Sequence, residues 1–180
     1  MGDFEALGLF APELLAAHHR VDEFNSGKPN LDQWLHRAAL INQRENYTRT
    51  FVVTNADGQV AAYYALCAGA LMRRDAPRSI APHGAPGEVP VALLARLAVS
   101  VDLQGRGLGK VLLRHALLSA LAASNAVALR GVVVDALDDE AAAFYLAVGF
   151  KPTRADPLRL VLAMADIQKS WAAHRATANG

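Results

Sequence analysis

Apolar and polar positions change period several times along the chain, and each change marks a predicted element. Leu31, Trp34, Leu35, Ala38 and Ala39 recur at helical spacing. They predict a helix with its apolar side on the core, capped by Asn30 and with Gln33 set for a capping box. TRTFVVT and QVAAYYALCAGAL are β-rich runs joined by NADG, which predicts an antiparallel hairpin. Residues 73–90 (RRDAPRSIAPHGAPGEVP) hold four prolines and two glycines, resist both helix and strand, and read as one long surface loop.

Beyond that loop, LLARLAVSV, QGRGLG and KVLLRHALLSALAAS read as strand, glycine loop and helix, followed by the apolar strand ALRGVVVDA. A second helix from Asp139 to Val148 opens with Asp138, Asp139 and Glu140, acids that cap amides and oppose the positive end of the helix dipole. GFKP, a strand LRLVLAM and a tail helix near DIQKSWAAHR close the chain. The predicted fold class is α/β with a mixed sheet, antiparallel at the front and with a strand-helix-strand crossover behind.

Composition then removes whole classes of function. A chain of 180 residues, 53% apolar and 19% charged, is neither disordered nor fibrous, and its length suits one domain. That domain is expected over residues 1–165, with residues 166–180 as a helical tail. The apolar stretches 91–98 and 111–123 are interrupted by Arg96, Arg114 and His115, so neither is a bilayer span, and no membrane partner is expected. MGDFEALGLFAPE lacks a basic region and a long apolar run, which implies a cytoplasmic location rather than export.

The lone Cys67 can form no internal disulfide or cysteine zinc site; with no basic neighbour in sequence, it reads as buried packing. Six histidines without ligand spacing, and no G-x-S-x-G, leave no metal or hydrolase chemistry to assign. A net charge of +1 names no polyanionic partner. Arg73, Arg74 and Arg78 nevertheless cluster, and the choice between a phosphate-binding patch and a solvated surface stays open there.

The glycine loop carries the chemistry. Gln104, Gly105, Arg106, Gly107, Leu108, Gly109 and Lys110 lead into a helix N-terminus, where glycines admit a close ligand and unpaired amides attract an anion such as phosphate. Neither nucleotide motif is intact. Lys110 replaces the third glycine of G-x-G-x-x-G, while Gln104 and Val111 replace the first glycine and the hydroxyl residue of the P-loop.

In context, ARLAVSVDLQGRGLGKVLL with Q-x-x-G-x-G, followed some thirty-five residues later by AAAFYLAVGF, resembles the GNAT N-acetyltransferases. The resemblance implies the GNAT fold, a mixed central sheet flanked by helices and splayed at an acetyl-CoA site. It implies that acetyl-CoA is the cofactor, bound by Gln104 to Lys110, with its pyrophosphate on the amides of residues 105–110 and its pantetheine along Leu97, Ala98 and Val99. It makes the Val99 amide the group that polarises the thioester carbonyl. FNSGKPNLDQWL, Asn42 with Gln43, and RTFVV are similar to the acetyltransferase toxins of bacterial toxin-antitoxin modules, with Ser100 where such toxins often carry Asp. This implies a toxin that acetylates the α-amino group of aminoacyl-tRNA and so blocks translation. It also implies a ribbon-helix-helix antitoxin as partner, and it leaves a homodimer open.

Acetyl transfer needs a neutral amine and a proton for the departing thiolate. Tyr145, in the FY pair, is the expected acid, since a phenol is protonated at neutral pH; Phe144 beside it reads as core. LLARLAVSV carries no acid that could serve as a strong base, which suits a weakly basic α-amine better than a lysine. Arg96, with Arg73, Arg74 and Arg78, is the expected contact to the RNA backbone, a structural salt bridge being the other reading of Arg96. Two other functions remain at this stage: a housekeeping acetyltransferase for a protein N-terminus or small amine, and a non-catalytic CoA-binding module.

Overall fold

The computed structural model describes residues 2–178, in which seven strands form one sheet in the order β1-β2-β3-β4-β5-β7-β6. The chain divides into two compact units. The first runs up to Cys67 and adds Ala95–Ala116; the second comprises Ala68–Leu94 and the chain from Leu117 onward.

The first unit contains α1 (Gly2–Glu5), β1 (Glu13–Leu14), α2 (Pro29–Arg37), α3 (Ala39–Arg44) and β2 (Arg49–Thr54). It also takes the start of β3 (Val60–Met72), the end of β4 (Glu88–Val99) and the start of α4 (Leu108–Ala123). The predicted hairpin forms. β2 pairs antiparallel with β3 from Arg49–Leu66 onward, and its turn closes through Asn55, whose side-chain oxygen accepts from the amides of Asp57 and Gln59. Leu31, Leu35 and Ala39 pack with Val52, Tyr63 and Ala98 in one buried cluster, so the apolar side of the predicted helix does face the core.

The start of that helix differs from the expectation. Pro29 is its first residue and Lys28 its N-cap, with no side-chain cap. Proline is favoured there because its missing amide proton would be unpaired anyway. Asn30 therefore lies inside the helix and no capping box forms; instead the Asp32 carboxylate accepts from the Ser26 amide at 2.9 Å and the Ser26 hydroxyl at 2.6 Å. The periodic run also breaks at Ala38, which ends α2 before α3 begins.

The second unit contains β5 (Gly131–Asp135), α5 (Asp139–Val148), β6 (Lys151–Pro152), β7 (Arg159–Ala163) and α6 (Met164–Ala178). β4 pairs parallel with β5, and β7 pairs antiparallel with β5 and β6, so the sheet is mixed as expected. Asp138 caps α5 by accepting from the Ala141 amide at 2.8 Å. LRLVLAM is not wholly strand: β7 ends at Ala163 and Met164 already opens α6.

Residues 73–90 are not simply surface. Ala76 and Ile80 are buried with Leu71, Val89 and Val91, because Arg130 holds the segment by donating to the Ile80 and Ser79 carbonyls. β4 starts at Glu88 and accommodates Pro90.

Candidate active site

The parallel ladder between β4 and β5 pairs Ala92 with Val132, Leu93 with Val133 and Leu94 with Val134, and stops there. Residues 95–97 of β4 are only half-buried, although β4 is the middle strand of seven. In the first unit, β4 continues through Ala98 and Val99, both buried, and the Ser100 amide donates to the Ala61 carbonyl at 2.9 Å.

A single 3₁₀ turn, Val101–Leu103, then delivers the chain to the glycine loop. Gly105 and Gly107 have φ of +73° and +84°, left-handed values that glycine adopts without strain. A Cβ at either position would meet nothing within 4 Å, so both glycines bound open space. The Leu108 side chain is buried and anchors the loop, while Arg106 and Lys110 are exposed. The Lys110 and Val111 amides turn back onto the Gly107 carbonyl as α4 begins. Gln104 uses its side-chain amide on the protein itself, donating to the Ser26 and Val99 carbonyls, each at 2.9 Å.

Arg96, on the half-buried stretch of β4, lies with its guanidinium 5.4 Å from the centre of the Trp34 ring and donates to its own neighbour's carbonyl, Ala95, at 2.6 Å. Trp34 in turn stacks on Tyr63, 5.9 Å between centroids, and the Tyr63 hydroxyl donates to the Leu31 carbonyl at 2.8 Å. An indole face therefore supports the charge, in place of the salt bridge considered from sequence. Cys67 is half-buried rather than buried. Burial pushes its thiol up, and the Arg96 charge pulls the other way, so the basic neighbour missing in sequence is present in space.

Two groupings escape sequence reasoning altogether. His115 shares a hydrogen bond of 2.8 Å with the hydroxyl of fully buried Tyr64, and burial lowers the imidazole pKa. The ligand atoms of Glu13, His18 and His19 lie within 4.8 Å of one another. His19 Nδ1 accepts from the Ala16 amide, which puts the proton on Nε2, facing Glu13 at 3.1 Å. That tautomer is committed to hydrogen bonds and offers a metal no lone pair. Each contact joins residues of one loop or of distant elements, with no spacing to reveal it.

In the second unit, Tyr145 sits in the last turn of α5, only 6% exposed, with its ring against Phe144 at 5.1 Å and Phe150 at 5.5 Å. Gly149 ends the helix at φ +109°, and the Phe150 amide returns to the Tyr145 carbonyl, so the cap itself seats Phe150 on the tyrosine. Burial pushes the Tyr145 phenol up from its ordinary value, keeping it protonated throughout the neutral range. Arg73, Arg74 and Arg78 are exposed in this unit; Arg73 donates to the Ala85 carbonyl and Arg74 lies 3.8 Å from the Asp75 carboxylate.

An acetyltransferase (GNAT) domain matches residues 46–152, from the residues just before β2 to the end of β6. The chain belongs to the GNAT acetyltransferase family. Over 159 residues, 88% of this chain and 95% of the relative, it is 43% identical to a tRNA-acetylating toxin of Mycobacterium tuberculosis (strain ATCC 25618 / H37Rv). Its fold is similar to the toxin AtaT complexed with acetyl-methionyl-tRNAfMet, with a TM-score of 0.84 and 28% identity over 91% of this chain and 99% of that one. It is similar also to a tyrosine-to-phenylalanine mutant of AtaT bound to the C-terminus of the antitoxin AtaR and to acetyl-CoA. There the TM-score is 0.78 and the identity 27%, over 91% and 98% of the two chains. The mixed open sheet with flanking helices is thus the GNAT fold that the glycine loop and the FY pair implied.

Proposed function

We propose that this GNAT acetyltransferase transfers the acetyl group of acetyl-CoA to the α-amino group of aminoacyl-tRNA and acts in the cytoplasm as a toxin held in check by an antitoxin. The observation that carries this reading is the 43% identity, over nearly the whole chain, to a tRNA-acetylating toxin. Among the described residues no helix is long and apolar enough to cross a membrane, in keeping with a cytoplasmic role. A ribbon-helix-helix antitoxin and a homodimer are further parts of the proposal.

The residues present fit acetyl-CoA. Open space over Gly105 and Gly107, at the start of a sixteen-residue helix, suits a pyrophosphate, because the helix dipole favours an anion there. Leu97, Ala98 and Val99, on the stretch of β4 beyond the β5 ladder, would hold the pantetheine, and residues 105–110 the pyrophosphate. Bound there, acetyl-CoA supplies the acetyl group as a thioester. The Val99 amide would donate to the thioester carbonyl oxygen as negative charge builds there. The α-amine needs no strong base, since its ordinary pKa of about 7.7 to 8.0 leaves part of it neutral, and its proton leaves through water. Tyr145 would be the residue to supply a proton to the departing sulfur as the C–S bond breaks and the C–N bond forms. Burial keeps that phenol protonated at neutral pH, so the proton is present when the bond breaks. Arg96, Arg73, Arg74 and Arg78 would hold RNA phosphates by charge-assisted contacts.

Tyr145→Phe tests the assignment of the acid. It keeps the ring between Phe144 and Phe150 and removes only the hydroxyl. Single-turnover transfer to one charged tRNA should fall about 10²- to 10⁴-fold at unchanged acetyl-CoA affinity, and expression without an antitoxin should no longer arrest growth. Transfer at the wild-type rate would remove Tyr145 from the chemistry.

A further inference from the structure

Gln104 is the first residue of the Q-x-x-G-x-G pattern, and the expectation from sequence was that it touches the cofactor. Its geometry gives it different work. One side-chain amide nitrogen donates to the carbonyl of Ser26, seventy-eight residues away, and to the carbonyl of Val99, the last residue of β4, both at 2.9 Å. The turn it reaches is itself rigid. Asn25 closes on the Gly27 amide at 2.9 Å, Asp32 of α2 takes both the amide and the hydroxyl of Ser26, and Gly27 holds φ +78°.

The same turn is tied a second time, because the Val101 amide donates to the Asn25 carbonyl at 2.9 Å. A Cβ on Gly27 would come within 3.3 Å of the Val101 side chain, so the two segments are also in close contact. Residues 99–104 are therefore fixed on both sides: at Ser100 by Ala61 of β3, and at Val101 and Gln104 by the turn before α2. The next residues are the left-handed Gly105 and Gly107, which impose no conformation of their own, so whatever holds residue 104 fixes where the loop amides point.

We propose that Gln104 is a positioning residue, which acts through the Ser26 and Val99 carbonyls to hold the glycine loop in its anion-binding shape before any ligand arrives. It preorganises the loop and so removes an ordering cost from cofactor binding. The proposal rests on the acetyltransferase reading above and adds to it a residue that works without touching the cofactor.

The test compares wild type with Gln104→Met, which fills similar volume without donors, and Gln104→Arg, which restores N–H donors on a chain of similar reach. Hydrogen exchange is measured in the cofactor-free protein, and acetyl-CoA affinity by calorimetry. In Gln104→Met the hydrogen-bonded amides of Val101, Lys110 and Val111 should exchange faster, while those in the middle of α4 keep their protection. Acetyl-CoA should bind about tenfold more weakly, the loss expected for about one net hydrogen bond. kcat at saturating acetyl-CoA should not change, and Gln104→Arg should return affinity to within about twofold of wild type. If Gln104→Met lacks a cooperative melt, Gln104→Glu, which keeps the shape and loses both protons, is read in the same way. Unchanged exchange in the cofactor-free loop, or unchanged affinity, overturns the proposal. A direct contact to the cofactor would weaken binding and leave that exchange alone. Failure of the unmutated protein to bind acetyl-CoA would instead overturn the acetyltransferase reading, and is distinguished by appearing without any substitution.

Discussion

The guanidinium of Arg96 lies over the face of Trp34, which stacks on Tyr63 behind it. An indole attracts a cation without neutralising it, so Arg96 keeps its full charge and its remaining donors while its position is fixed. A carboxylate partner would have cancelled the charge that an RNA phosphate needs. Arg96→Ala should therefore raise KM for charged tRNA about tenfold, flatten the salt dependence of KM and leave acetyl-CoA affinity unchanged, as steady-state kinetics at two ionic strengths would record. A KM equal to that of wild type would return Arg96 to a purely structural role.

Gly107 separates binding from folding. A Cβ there meets nothing within 4 Å, yet a β-branched residue is forced to φ +84°, a strain of about 1 to 3 kcal/mol, and its side chain enters the open space over the loop. Gly107→Val should still melt cooperatively but bind acetyl-CoA at least tenfold more weakly by calorimetry. Full affinity in a folded variant would remove the loop from the site.

The buried tyrosines should titrate late, because burial raises the phenols of Tyr63 and Tyr145 above the ordinary value of about 10. Neutral phenol is the form that the fold favours, so this contribution to stability is complete below pH about 10 and is lost as pH rises further, when the unfolded chain ionises first. Absorbance near 295 nm should show a step above pH about 10 that coincides with loss of near-ultraviolet circular dichroism, and Tyr145→Phe should shrink that step.

What the sequence revealed depended on whether the signal was local. The hairpin, the glycine loop, the Asp138 cap and the α5 that carries Tyr145 are written in consecutive residues, and all form as expected. The start of α2 was misplaced because Asp32 and Ser26 find each other across six residues, and Pro29 sets the first turn without a side-chain cap. Ile80 was read as surface because its burial depends on Arg130, fifty residues on. Trp34 read only as a core residue, since nothing near it in the chain mentions Arg96. Gln104 was legible as a member of a motif, but its role as a tie required the position of Ser26, which no spacing supplies.

The account's central claim is the acceptor. Purified protein incubated with acetyl-CoA carrying a labelled acetyl group and a pool of charged tRNA should place label on the aminoacyl ester, released by mild base as N-acetyl amino acid. Uncharged tRNA should take up none, and Tyr145→Phe should transfer about 10²- to 10⁴-fold more slowly in the single-turnover regime. Label on protein lysines or on a small-molecule amine, with none on the charged tRNA, would contradict it.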